Sequence, residues 1–170
     1  LGRLENLAVQ FAAMQANLSP QIRHPWISIF AADHGVAVHS VSAYPQSVTV
    51  EMIKNFIRGG AAINVLAKHI DARLEVINAG TLTATDDIQG VIQGRIAAGS
   101  HDFTRFAAMS NAQCSAALEL GKQAVHRALE HGADLFIAGE MGIGNSTSAA
   151  ALVAALLKLT AEQTVGAGTG

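Results

Sequence analysis

The sequence predicts an α/β fold: a parallel sheet flanked by helices. Three short apolar runs carry this reading, WISIFAA (26–32), RLEVINAG (73–80) and ADLFIAGE (133–140). Each has the length of a buried strand and runs into a turn or a glycine. Stretches with apolar residues every three or four positions separate them, and strands alternating with helices imply parallel pairing. The composition agrees. Half of the 170 residues are apolar, only 5% are aromatic and 16 are glycine, which favours small-residue helices packed closely on a sheet.

Along the chain, Leu4, Leu7, Ala8, Phe11 and Met14 recur at helical spacing and predict a helix over 3–16. Ser19-Pro20 and His24-Pro25 break it before the first strand, which Asp33-His34-Gly35 ends. Residues 36–47 read as irregular. Met52, Ile53, Phe56 and Ile57 share one helical face, Gly59-Gly60 interrupts, and Ala62, Ile63, Leu66, Ala67 and Ile70 form the next. After the second strand, residues 81–110 are polar and dotted with glycine, with room for a short strand near 91–96. A long amphipathic helix follows from Asn111 through Cys114, Leu118, Val125 and Leu129, and His131-Gly132 stops it. The third strand leads into a helix from Asn145 to about Leu159.

Charge and cysteine usage narrow the function. Lys plus Arg is 11 and Asp plus Glu is 13, a net charge of −2 without a basic cluster, which disfavours nucleic acid as a partner. The single cysteine, Cys114, forms no internal disulfide and no CxxC pattern for zinc, and suits a cytoplasmic location. No apolar run approaches the roughly 20 residues that span a bilayer, so no membrane association is expected. Leu1 stands at the start of an apparent helix and a glycine loop stands at the end, so the chain reads as a single α/β domain cut from something longer.

The segment GEMGIGNST (139–147) has the glycine spacing of a phosphate loop between a strand and a helix. That geometry presents backbone N–H groups to an anion, and the helix dipole adds roughly half a positive charge there. Gly142 and Gly144 would let the backbone approach a ligand, and Asn145, Ser146 and Thr147 would cap the helix. The lysine that a triphosphate hydrolase requires is replaced by Asn145, and no GxGxxG is present. A monophosphate needs only N–H donors and the dipole, so a nucleotide monophosphate or a sugar phosphate fits better. Glu140 at the loop's mouth suits a general base or a partner for a heterocycle nitrogen, against the plainer reading of a solvated strand-end carboxylate. Asp33, His34 and His39 allow a metal site only weakly, because they share a loop and lack a third strong ligand. Ser42-Ala43-Tyr44-Pro45-Gln46 could wall a flat ligand or simply anchor a loop.

Five motifs occur in order: AADHGV (31–36), VSAYPQSVT (41–49), NFIRGGAAINVLA (55–67), GEMGIGNST (139–147) and VGAGTG (165–170). Together they resemble the nicotinate-nucleotide–dimethylbenzimidazole phosphoribosyltransferases of cobalamin (vitamin B12) biosynthesis. The resemblance implies a Rossmann-like domain with a smaller helical domain, incomplete here, so that the chain is truncated at both ends relative to the family. It implies transfer of the phosphoribosyl group of nicotinate mononucleotide to 5,6-dimethylbenzimidazole, giving α-ribazole 5′-phosphate and nicotinate. It further implies a cytoplasmic homodimer with small-molecule substrates and no metal or organic cofactor.

By the same resemblance, Gly142, Gly144 and Asn145 meet the ribose and its phosphate, with Met141 and Ile143 in the same loop. Glu140 lies near the exchanged base and is the catalytic candidate in this chain. Ser42, Tyr44, Pro45 and Gln46 wall the benzimidazole, and Gly168 and Gly170 complete the phosphate end. The family's further catalytic glutamate and a phosphate-binding lysine fall beyond the last motif. GSHDFTRFAAM (99–109) departs from the family pattern, with Ser100, Asp102 and Ala107 replacing Thr, Asn and Pro. The alternative is a module that binds a nucleotide monophosphate without catalysis.

Overall fold

A computed structural model describes residues 2–169. In chain order the elements are α1 (Arg3–Met14), β1 (Pro25–Ala32), a 3₁₀ turn (Gly35–His39), α2 (Val48–Arg58), α3 (Ala62–His69), β2 (Arg73–Gly80) and β3 (Val91–Gln93). Then come α4 (Asn111–Glu130), β4 (Leu135–Met141), α5 (Asn145–Leu157) and the single turn α6 (Ala161–Thr164). The four strands form one sheet in the order β3-β2-β1-β4, and every pairing is parallel.

Side chains alternate across the sheet, so each strand feeds two cores. On one face Ile27, Ile29 and Ala31 of β1 and Val76 of β2 meet Ile53 and Phe56 of α2 and Ala67 of α3. On the other face Ile77 packs with Leu120 and Ala124 of α4, joined by Phe30 and Phe136. This division follows from handedness. Right-handed crossovers put α2 and α3 on one face as the chain moves outward, and α4 on the other as it returns past β1.

Local signals set the helix ends. Gly59 adopts the left-handed conformation at φ 80°, and its N–H and that of Gly60 close α2 onto Phe56 and Asn55. Ser110 and Gln113 form a reciprocal capping box at the start of α4, with bonds of 3.2 and 2.7 Å. At the amino end of the sheet, Glu75 takes the Ser28 hydroxyl at 2.7 Å and the Arg127 guanidinium at 3.0 Å. This partnering satisfies a carboxylate with a side-chain exposure of only 10%.

The polar stretch 81–110 is held by tertiary hydrogen bonds. Asn78, fully buried on β2, donates to Thr81 at 2.9 Å and Thr85 at 2.7 Å, and accepts from the Thr81 N–H. Gln93 closes the group onto Thr85. Arg95 donates to the carbonyls of Thr81 and Leu82.

Candidate active site

The sheet order changes direction between β1 and β4. Ligands of open parallel sheets bind at such a point, beyond the carboxyl ends of the strands. Phe30 pairs with Glu140 and Ala31 with Met141, so Asp33-His34-Gly35 and Gly142-Ile143-Gly144 leave the sheet side by side. Two motifs remote in sequence thus form one edge.

The loop 139–147 begins α5 as expected, but its capping differs. Gly144, at φ 89°, occupies the N-cap, and α5 has no side-chain cap. Asn145 is spent elsewhere: its amide donates to the Glu140 carboxylate and its Oδ1 accepts from the Ser146 N–H at 2.8 Å. Part of the loop's donor capacity is also used internally. The Ile143 N–H donates to the Thr49 hydroxyl at 3.2 Å and the Asn145 N–H to the Gly142 carbonyl at 3.0 Å. Among the described residues, the N–H groups of Gly144 and Thr147 have no such acceptor.

Gly142 serves the protein before any ligand. A Cβ there would collide with the Ala32 carbonyl and come within 2.7 Å of His34 Nε2 and 2.8 Å of its Cδ2. The imidazole of His34 fills the space that a side chain at residue 142 would need. Met141 packs on the α2–α3 core and Ile143 is buried, so these two present backbone rather than side chains to the edge.

His34 is held by two hydrogen bonds and faces a carboxylate. Its Nδ1 lies 2.9 Å from the Ser148 hydroxyl, its carbonyl accepts from the Gln46 amide at 2.9 Å, and its Nε2 faces Glu140 Oε1 at 3.7 Å. His39 turns away from it, onto Asp102 at 2.8 Å. Among the described residues, no three His, Cys, Asp or Glu side chains converge as a metal site would require.

Residues 42–46 form the adjoining rim. The Ser42 hydroxyl lies 3.2 Å from that of Thr169, which also accepts from the Ala43 N–H. Gly168 reaches the start of α5, where a Cβ on it would stand 3.6 Å from the Ser146 hydroxyl. The final glycine-rich segment therefore returns to the first, while Gly170 lies outside the described residues. Tyr44 and Pro45 are exposed. A cavity of about 400 Å³ opens alongside, between α4 and α5, lined by Ala79, Ile96, Phe103, Met109 and Leu152 with His34 and Ser148. Neither 42–46 nor 139–145 contributes to its lining. Sequence reasoning places His34 at the edge but misses its bonds to Ser148 and Gln46, for which no local pattern exists.

A parallel α/β sheet with a glycine loop, a carboxylate and an imidazole at its switch point is the framework of a ligand-binding α/β protein. A family model described as phosphoribosyltransferase matches residues 1–170, and the chain belongs to that family. Nicotinate-nucleotide–dimethylbenzimidazole phosphoribosyltransferases from Pseudomonas aeruginosa (strain LESB58) and Xanthomonas campestris pv. campestris (strain B100) are 50% and 51% identical to it over 170 residues. The match takes in all of this chain and 48% and 49% of theirs, so the chain spans about half the length of these curated relatives. The crystal structure of CobT from Thermus thermophilus superposes with a TM-score of 0.93 at 42% identity, over 99% of this chain and 51% of that one.

Proposed function

We propose that the protein carrying this chain transfers the phosphoribosyl group of nicotinate mononucleotide to 5,6-dimethylbenzimidazole, a step of cobalamin biosynthesis. The observation that carries the reading is the loop 139–147 at the switch point, inside a chain half of whose residues match enzymes of that name. The Gly144 and Thr147 N–H groups and the amino end of α5 receive the 5′-phosphate. Asn145 and the backbone of Met141–Gly144 meet the ribose, and Gly168 approaches from the far side. Ser42, Tyr44, Pro45 and Gln46 flank the acceptor base.

The chemistry is a displacement at ribose C1. The acceptor's ring nitrogen forms the new bond, and the bond to nicotinate breaks with its electron pair going to the pyridinium ring. The N–H proton of the benzimidazole then passes to a carboxylate, the role assigned to Glu140 within this chain. Holding two substrates in line supplies up to roughly 7–11 kcal/mol of the barrier reduction. The active form is a cytoplasmic homodimer. The exposed apolar side chains of α1 and α5, Leu4, Leu7, Leu152, Leu156 and Leu157 among them, support further packing against these helices.

The test is to incubate the intact protein with nicotinate mononucleotide and dimethylbenzimidazole and follow α-ribazole 5′-phosphate by mass spectrometry. Folded protein that forms no such product overturns the proposal.

A further inference from the structure

We propose that His34 is a positioning residue for Glu140, donating from Nε2–H to the carboxylate once a ligand occupies the loop. The inference rests on the reading of the site given above and adds to it a group from the other strand end.

Four observations converge. His34 Nε2 is buried and, among the described residues, has no hydrogen-bond partner. A buried donor without an acceptor is costly, and such groups in folded proteins call for an explanation. The acceptor it faces is Glu140 Oε1 at 3.7 Å, too long for a hydrogen bond. The ring has little freedom to turn elsewhere, because Ser148 holds Nδ1 and Gly142 leaves just the room it occupies. The tautomer in which the Ser148 hydroxyl donates to Nδ1 puts the ring proton on Nε2, directed at the carboxylate.

Asn145 explains why the bond is open. Its amide now donates to the other oxygen of Glu140. A ribose or phosphate bound at the loop competes for that amide. Glu140, with a side-chain exposure of 49%, is then free to move the roughly 1 Å that closes the gap to Nε2. His34 thus takes over the carboxylate when Asn145 turns to the ligand, and fixes the direction of its second oxygen toward the exchanged base.

Three variants of the intact protein and one double variant test this. His34→Asn keeps an amide near Nδ1 and loses the group at Nε2, and should lower kcat about ten- to a hundredfold while the KM and Kd for nicotinate mononucleotide change less than about threefold. His34→Gln places an amide nitrogen near Nε2 and should recover most of that loss. In a Glu140→Gln background, His34→Asn should cost little more, because both act through one carboxylate. Additive losses, or a kcat fall matched in KM, overturn the proposal.

A readout independent of turnover separates this idea from the assigned reaction. In ¹⁵N-imidazole NMR with nicotinate mononucleotide bound, the His34 proton should sit on Nε2, hydrogen-bonded and protected from exchange, and Glu140→Ala should remove the protection. A proton on Nδ1, or an unprotected Nε2–H, overturns the positioning role whether or not the protein forms product. Protein with a protected Nε2–H and no product would instead overturn the assigned reaction.

Discussion

His39 Nε2 donates to Asp102 Oδ2 at 2.8 Å and so ties the 3₁₀ turn after β1 to the loop beside the cavity. The same loop is drawn in by the Ser100 N–H on the Asp33 carbonyl and by Gly35, where a Cβ would collide with the backbone of Ser100–Asp102. The Asp102 side chain is only 14% exposed. Desolvation acts to raise its carboxyl, but hydrogen bonds from the Thr104 hydroxyl, His39 and the Thr104 N–H outweigh it and hold the carboxyl below its ordinary value. The sign follows by linkage. A depressed carboxyl stabilises the fold above its unfolded value of about 3.9, and this contribution is lost as pH falls through the folded value. The ¹³C carboxyl resonance of Asp102 should titrate below that of a free Asp, and His39→Ala should raise its midpoint. An unchanged midpoint would show that His39 does not hold the loop.

Glu140→Gln should reduce turnover of the intact protein more than it reduces affinity for nicotinate mononucleotide. The amide still fits beside Asn145 and His34 but accepts no proton. Kinetics and calorimetry on the same preparation check this, and equal losses in both would reduce Glu140 to a binding group.

Gly142→Ala should destabilise by about 1–3 kcal/mol, the usual cost of forcing an atom into a filled space. The Ala32 carbonyl and the His34 ring both stand where the methyl would go. Gly166→Ala is the control, since a Cβ there meets nothing within 4 Å, and should change stability by less than about 0.5 kcal/mol. Urea midpoints of the two variants decide it.

Asn78→Ala should cost about 1–3 kcal/mol, because it strips the hydroxyls of Thr81 and Thr85 and the Thr81 N–H of a buried partner together. Hydrogen exchange should rise along the stretch that follows β2. A neutral substitution would mean that water replaces the amide.

Much of the fold is legible in the sequence because periodicity is local. The strand over 73–80 matches to the residue, since an apolar run between a turn and a glycine has few other interpretations. The expected helix over 3–16 ends at Met14, and the expected strand over 133–140 runs Leu135–Met141, the ordinary margin at element ends. The 3₁₀ turn Gly35–His39 reads as irregular in sequence and α6 carries no expectation, because both are too short to show a period. Residues 81–110 resist reading for another reason. Apart from the three residues of β3, their order comes from Asn78, Gln93 and Arg95 bonding across the fold, and composition does not encode those partners.

By itself the sequence determined the alternation of strands and helices, the glycine loop without its lysine, and the motif order that matches one enzyme family. These depend on residue spacing, which the chain carries openly. The tertiary structure alone decided which groups face one another. His34 meets Ser148 from 114 residues away because β1 and β4 lie side by side, and a sheet order cannot be read from the strands that compose it. It also decided that Gly142 admits an imidazole and that the Asn145 side chain divides itself between Glu140 and the first turn of its own helix. Close packing and hydrogen-bond competition settle such choices, and both act only once the chain has folded.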